Sequence, residues 1–514
     1  LKIASTSSNA SWGALHKAAR RAWDAMDYAL FFKLMGQVIE LAPDDPMLLL
    51  ELGFAYGRRT DFPPAIDCFE RAIRAARDKG RVLLLAADRA LAFSRFDLGE
   101  QYLERAAREP GVAADTLGKL AEMKERARQT EAAEAAVEQA LKLDSRCQMA
   151  LLTRARLGRL RGELEAAEKD VRSILARTDR ENASTRVRGW YELAAILDRQ
   201  GRYDEAMKAL IAAKKMVLPA AARFISWRHT ALHHFRTAGA ELTTADFQRW
   251  READTNPSDR RLAVIAGHPR SGTTLLEQLL DAHSGIVSAE ETDFFFEMFS
   301  RLAHGGPQEV IPMLDALPNA AMREARQDYF RRLDSFIGVP TQSLLVIDKN
   351  PSLTALLPNV LRVLPETKLI VALRDPRDVC LSCFMQFLHL TPVTCMYLSL
   401  DTLVEEYTTV MGYWKAIRLL LPRPALEVRY EDVVNDVRGE AERTLRFLDL
   451  AWEPAVLDFA ERSSTKLVRS PTYAEVARPI SRGAIGRWRH YRDYLEPYLE
   501  KLAPLVEAFG YEAD

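Results

Sequence analysis

Cysteine is scarce in this chain: Cys68, Cys147, Cys380, Cys383 and Cys395 are the only five in 514 residues. That number and scatter exclude the disulfide framework of a small secreted domain. Cys380-x-x-Cys383 has redox spacing, but its helical setting and plain surroundings make it read as two helix-packing thiols. Long apolar runs are missing as well, and none approaches the roughly 20 residues that cross a bilayer as a helix. Neither sign of charge is in excess: Lys+Arg 71 against Asp+Glu 72 leave -1. This excludes a global basic surface for nucleic acid or an anionic membrane, so any anion site must be a local cluster. No metal-ligand spacing stands out; His233-His234 lacks carboxylate or cysteine companions and reads as packing or surface histidine. No signal peptide is visible, and a cytoplasmic protein is expected, although the start at Leu1 rather than Met leaves room for an upstream segment. What remains is a folded chain, 48% hydrophobic and 28% charged, long enough for two to four domains of about 100–200 residues.

Strand signals are absent from Ser11 to about Lys215, where Ala, Leu, Arg and Glu recur with a helical period. Gly53, Tyr56, Ala65, Phe69 and Ala72 match the small and aromatic positions of a tetratricopeptide repeat. The pattern returns 34 residues on at Ala87, Ala90, Gly99, Leu103 and Ala106, then at Ala121, Ala133, Val137 and Ala140, and at Ala155, Ala167, Val171 and Ile174. A last copy, 39 residues further through Ala194, Leu197, Ala206, Leu210 and Ala213, follows an insertion near 179–184; a degenerate first copy holds Ala19, Phe31, Met35 and Val38. Small residues let paired helices approach, and apolar ones bury the next repeat's face. Residues 11–215 therefore resemble a tetratricopeptide-repeat solenoid, which implies a groove for a protein, for its own catalytic domain or for a second copy in a homodimer. Residues 216–258 read as a helical join containing Pro219, with a turn-rich step at 254–258.

The second half is organised around residues 262–276. An apolar run, Leu262 to Ala266, reads as a buried parallel strand. Gly267 breaks it, and helical spacing resumes at Thr273, with Leu276, Leu279 and Leu280 on one face. A strand, a glycine-bounded turn and a helix N-terminus aim backbone N–H groups at an anion. The frame Gly267-x-x-x-x-Gly272-Thr-Thr has the spacing of a nucleotide triphosphatase loop with Thr273 in place of its lysine, and Arg270 supplies the charge instead. Further apolar runs at 286–288, 343–347, 368–373 and 425–429 alternate with helices, which predicts a mainly parallel sheet with ligands beyond the strands' carboxyl ends.

Pro269-Arg270-Ser271-Gly272-Thr273-Thr274 resembles the 5′-phosphosulfate loop of sulfotransferases that use 3′-phosphoadenosine 5′-phosphosulfate (PAPS). Arg374 with Ser382 is similar to that family's 3′-phosphate motif, and Tyr430 to the tyrosine that meets the adenine. Arg482-Gly483-Ala-Ile-Gly486-Arg-Trp488 resembles the late element closing over the 3′-phosphate, with Ser481 where the family often has Arg. The fold class implied is α + α/β, an all-α repeat solenoid followed by a P-loop-like parallel α/β sulfotransferase domain at 259–514. Asp-Ala-His, Glu-Glu-Thr and Lys-x-Pro look most like protein-tyrosine sulfotransferases and bacterial repeat-containing relatives. By that resemblance Glu291 is the general base, Lys349 bonds the leaving oxygen, Arg270 meets the developing charge, and Ser470 is a weaker candidate for steadying the sulfuryl oxygens. Asp293 stands where the tyrosylprotein enzymes carry Arg, which argues against an acidic peptide. The implied reaction is sulfuryl transfer to a peptide tyrosine, phenol or saccharide hydroxyl, with PAPS as donor and no metal. The competing readings are a P-loop kinase or triphosphatase, disfavoured by Thr273, and a non-catalytic repeat scaffold.

Overall fold

The computed structural model describes residues 5–177, 183–253, 258–304, 306, 309–459 and 480–512, with side chains from Trp12 onward. Ser470, most of the insertion near 179–184 and the step at 254–257 lie outside the described residues. The chain divides into two compact units, Leu1–Thr153 and Arg154–Asp514.

The first unit is helical: α1 (Ser5–Asp24), α2 (Tyr28–Leu41), α3 (Pro46–Arg58), α4 (Phe62–Ala75), α5 (Lys79–Ala92) and α6 (Phe96–Ala107). It continues with α7 (Ala114–Arg126), α8 (Thr130–Leu143) and the start of α9 (Gln148–Arg161). Repeat register is written in the backbone. Met26, Thr60, Ser94 and Arg128 each adopt a positive φ in the turn within a helix pair, at the same 34-residue spacing as the sequence pattern. Gly162 and Gly201 do the same in the second unit. Each left-handed residue is followed by a 2.9 Å bond from the next N–H to the carbonyl five residues back, as in Asp61 to Tyr56 and Arg95 to Ala90. That bond closes the helix end and reverses the chain. Small residues serve close approach, since a Cβ on Gly53 would lie 2.7 Å from the Phe69 ring and one on Gly99 2.6 Å from Leu91. Ala65, Phe69 and Ala72, and their counterparts through Ala206, Leu210 and Ala213, are all buried.

The second unit begins with the rest of α9, followed by α10 (Leu164–Leu175), α11 (Ala183–Arg199), α12 (Tyr203–Glu241) and α13 (Thr244–Glu252). Five parallel strands follow: β1 (Leu262–Gly267), β2 (Ile286–Ser288), β3 (Leu345–Lys349), β4 (Lys368–Leu373) and β5 (Leu426–Arg429), in the order β2-β3-β1-β4-β5. The helices around them are α14 (Thr273–Asp281), α15 (Phe294–Leu302), α16 (Val310–Asp315), α17 (Asn319–Ile337), α18 (Leu357–Val363) and α19 (Pro376–Met385). Then come α20 (Leu400–Ile417), α21 (Tyr430–Asn435), α22 (Val437–Phe447) and α23 (Arg492–Ala508). Strand alternation feeds two cores. Leu262, Val264 and Ala266 join a large cluster that also holds Val171, Leu193, Leu197 and Leu210, whereas Ala263 and Ile265 pack with Leu276, Leu279 and Leu445 on the other face. Among the described residues no helix is long and apolar enough to cross a membrane.

Candidate active site

Central β1 has β3 on one side and β4 on the other, so the chain reverses its winding direction there and opens a crevice at the strands' carboxyl ends. The loop after β1 is shaped by close contact. Gly267 has φ 140, and a Cβ there would stand 2.4 Å from the Ala372 carbonyl oxygen of β4. Gly272 caps α14 with φ 88, where a Cβ would lie 2.7 Å from the Tyr430 ring. Only glycine combines those conformations with those approaches. Arg270, between them, also has positive φ (74), and its Nε donates to Ser382 Oγ at 2.9 Å. Thr354 locks the loop's start, its hydroxyl accepting from Gly267 N at 2.7 Å.

Above the loop is a cavity of about 820 Å³. It brings together Arg270, Gly272, Thr273, Thr274, Glu291, Arg374, Ser382, Tyr430 and Gly483. All five strand ends contribute to it, through Arg270 after β1, Glu291 after β2, Asn350 after β3, Arg374 after β4 and Tyr430 after β5. Ser271 is buried within the loop and Lys349 lies buried behind the wall, whereas Arg482 is exposed beside the lining residues Ser481, Gly483 and Ala484.

Arg374 is held in an oriented frame. Nη1 donates to the Arg270 carbonyl at 3.2 Å, Nη2 to the Ala484 carbonyl at 2.5 Å, and the guanidinium lies 5.0 Å from the Tyr430 ring centroid. Its buried Nε has no hydrogen-bond partner among the described residues. Asp378, one turn into α19, accepts from Gly486 N at 2.7 Å and Trp488 N at 2.9 Å, tying the late segment over the crevice. Burial raises the Asp378 pKa, with Arg374 opposing the rise.

At the other end Lys349 Nζ lies 2.5 Å from Glu291 Oε1 and 3.4 Å from Glu277 Oε2. Burial alone would lower the Lys349 pKa, but Glu277 and Glu291 outweigh it and hold the ammonium charged. Glu277 is fully enclosed and its pKa is pushed up by burial; it also accepts from Ser288 Oγ. Glu291 keeps 38% of its side chain exposed, facing the cavity. Its neighbour Glu290 has φ 53, and the 290–292 turn is pinned by Asn350 Nδ2 donating to the Thr292 carbonyl at 2.9 Å.

Cys380, Cys383, His268 and His283 are buried and do not line the cavity. Burial pushes Cys383 up to about 12 and Cys380 well above its ordinary value, so both stay thiols on α19. His268 is enclosed, its pKa lowered by burial to about 4, and His283 Nε2 contacts the Ala451 carbonyl at 2.9 Å. Among the described residues no group of three or more His, Cys, Asp or Glu converges as a metal site. Sequence reasoning overlooked Glu277, Asp378, Arg487, Trp227 and Arg228. Glu277 had a signal, a lone carboxylate one turn into an apolar helix face; the others depend on tertiary placement.

Residues 263–454 match the model of the Sulfotransferase family, and residues 119–183 and 187–216 match tetratricopeptide repeat models. An uncharacterized protein of Aquifex aeolicus is 26% identical over 62% of this chain and 41% of its own length, so the chain spans less than half of that relative. Protein-tyrosine sulfotransferase 1 of Danio rerio is 25% identical over 49% of this chain and 73% of its length. The solved sulfotransferase domain of the Synechococcus PCC 7002 olefin synthase aligns with a TM-score of 0.37 and 21% identity, covering 51% of this chain and 98% of that domain. The chain thus carries a domain of the sulfotransferase family behind tetratricopeptide repeats.

Proposed function

We propose that the chain transfers a sulfuryl group from PAPS to an acceptor hydroxyl, with Glu291 as general base. The observation that carries this reading is the buried Arg374, whose Nε lacks a partner among the described residues while its other nitrogens are fixed on carbonyls beside the loop and Tyr430. A guanidinium so oriented suits a phosphate, and the Gly272 cradle with the Tyr430 face suits an adenine nucleotide. Arg374, Ser382, Arg482 and Gly483 would hold its 3′ end; Arg270, Ser271, Thr273, Thr274 and the N-terminus of α14 would hold its 5′ end.

When bound, the nucleotide supplies the sulfuryl group and a phosphate leaving group. Arg270 and the loop N–H groups face the place where negative charge develops, and a preorganised donor needs no rearrangement as the charge appears. Lys349, kept protonated by two carboxylates, donates toward the departing oxygen. Glu291 takes the proton of the acceptor hydroxyl as that oxygen forms its bond to sulfur and the bond to the leaving oxygen breaks. The acceptor is a peptide tyrosine, phenol or saccharide hydroxyl, and Asp293, which lines the cavity with Glu291, disfavours an acidic peptide.

Calorimetry with 3′-phosphoadenosine 5′-phosphate and with AMP tests the donor. The bisphosphate should bind at least about tenfold more tightly, since charge-assisted bonds to its extra phosphate are strong. Equal affinities would reject PAPS. Glu291→Gln should keep that affinity while lowering kcat by about 10²–10⁴-fold; wild-type turnover in the variant would remove Glu291 from the chemistry.

A further inference from the structure

The lining of the cavity extends beyond the loop that anchors it and is mixed in kind. Beyond the loop the lining takes in Arg374 after β4, Tyr430 after β5, and Ser481, Gly483 and Ala484 of the late segment. Glu291 and Asp293 also line the cavity, and its apolar lining includes Phe296 from α15 and Met385, Leu388, Pro392 and Val393 from α19 and the stretch after it. Into the same lining reach Trp227 and Arg228 of α12, the second helix of the last repeat pair.

Those two residues do different things. Arg228 is committed: its Nε and Nη2 donate to the Glu406 carboxylate at 2.9 and 2.5 Å, and both side chains are buried. Trp227 is 58% exposed, among the most exposed large hydrophobic side chains described. An indole that gains so little from burial in the fold, yet lines the cavity, offers its face to whatever enters. Its position is set by α12, which is pinned on one side by the Arg228–Glu406 pair and on the other by Lys214 Nζ donating to the Tyr397 carbonyl at 2.6 Å.

We infer that Trp227 is an acceptor-binding residue, through which the far half of α12 selects an aromatic hydroxyl that carries no negative charge. This rests on the proposed transfer reaction and deepens it. The indole and the Phe296, Met385 and Leu388 side chains take a flat apolar ring. Glu291 and Asp293 repel an acidic substituent, and Arg228 is neutralised by Glu406 and offers no counter-charge. The helix that continues from the last repeat thus contributes a side chain to the site itself.

The full chain is assayed with 4-methylphenol, tyramine, 4-hydroxyphenylacetate and methyl glucoside as acceptors, and phenol binding to the 3′-phosphoadenosine 5′-phosphate complex is measured by calorimetry. Turnover should favour 4-methylphenol and tyramine over the anionic phenol. Trp227→Ala should weaken phenol binding and raise KM about tenfold with a smaller change in kcat, and Trp227→Phe should recover most of the loss. Nucleotide affinity should be unchanged in both variants, which also shows that they fold. Wild-type phenol affinity in Trp227→Ala overturns the inference, as does efficient transfer to the glucoside or the anionic phenol in preference to the others. Failure of the native chain to bind the bisphosphate overturns the transfer reading beneath it.

Discussion

Asp348, one residue before the end of β3, is 1% exposed and takes a 2.5 Å hydrogen bond from the Tyr329 hydroxyl at one carboxylate oxygen. Burial pushes its pKa up to about 7, against the pull of Tyr329 and Lys349. Between the unfolded value near 4 and that folded value the native state binds more protons than the unfolded chain, so stability falls as pH rises through this window. A rise of this size is worth at most about 4 kcal/mol. Asp348→Asn should flatten the decline: urea midpoints at pH 5 and pH 8 should lie closer together in the variant than in the native protein. Identical pH dependence in the two would mean that Asp348 ionises normally in the fold. Glu277, raised for the same reason, contributes a trend that the variant retains. Legibility at this scale follows the backbone. Gly267, Gly272 and Arg270 could be read from sequence because a loop that folds onto β4 and Tyr430 demands those conformations locally. Glu277 could not be assigned, because its partner Lys349 arrives from a distant strand and only the register of β1 with β3 brings the two together.

The helices of the array were legible down to their packing positions, since one left-handed turn residue per pair repeats with the sequence. The strands were legible within a residue or two, because each is a short apolar run ending at a polar motif. Pro219 is different. In sequence it marks a join, yet α12 runs unbroken from Tyr203 to Glu241. An internal proline costs a helix about 3 kcal/mol, and the far half of α12 offsets this by packing on α20: a Cβ on Gly239 would stand 2.9 Å from the Tyr413 ring. The Arg228–Glu406 pair sits at the centre of that contact. Arg228→Ala would leave Glu406 charged and buried alone, and denaturant unfolding should show a loss of about 3–5 kcal/mol. Replacing the pair together, Arg228→Met with Glu406→Leu, should restore most of it, because the desolvation cost disappears with both charges. A loss as large in the double variant as in the single one would assign the stability to packing of the arginine stem rather than to charge.

At the scale of the whole molecule the compact units divide at Thr153 and Arg154, inside the repeat pattern rather than at its end. The physical reason lies in the core. Val171, Leu193, Leu197 and Leu210, repeat positions by sequence, belong to the same hydrophobic cluster as Val264 of β1 and Trp414 of α20. Hydrogen bonds follow suit: Tyr491 donates to Asp198 of α11 at 2.6 Å, and Arg487, which lines the cavity, pairs with the same carboxylate. The last repeat helices are therefore built into the unit that carries the sulfotransferase-family domain, and two truncations should behave differently. A chain beginning at Gln148 keeps α9 to α12 and should remain soluble, with nucleotide affinity within about threefold of the full chain, since no cavity residue is removed. A chain beginning at Met216 loses α9, α10, α11 and the first part of α12, and bares the apolar surface that Leu193 and Leu197 cover. It should aggregate or melt at much lower temperature, because an exposed core face of that size favours association. Size-exclusion chromatography, thermal melts and bisphosphate titration of the two proteins decide the matter. A soluble, nucleotide-binding chain from Met216 would show that the repeats contribute nothing to the core of the sulfotransferase-family domain, and would place their role wholly outside it.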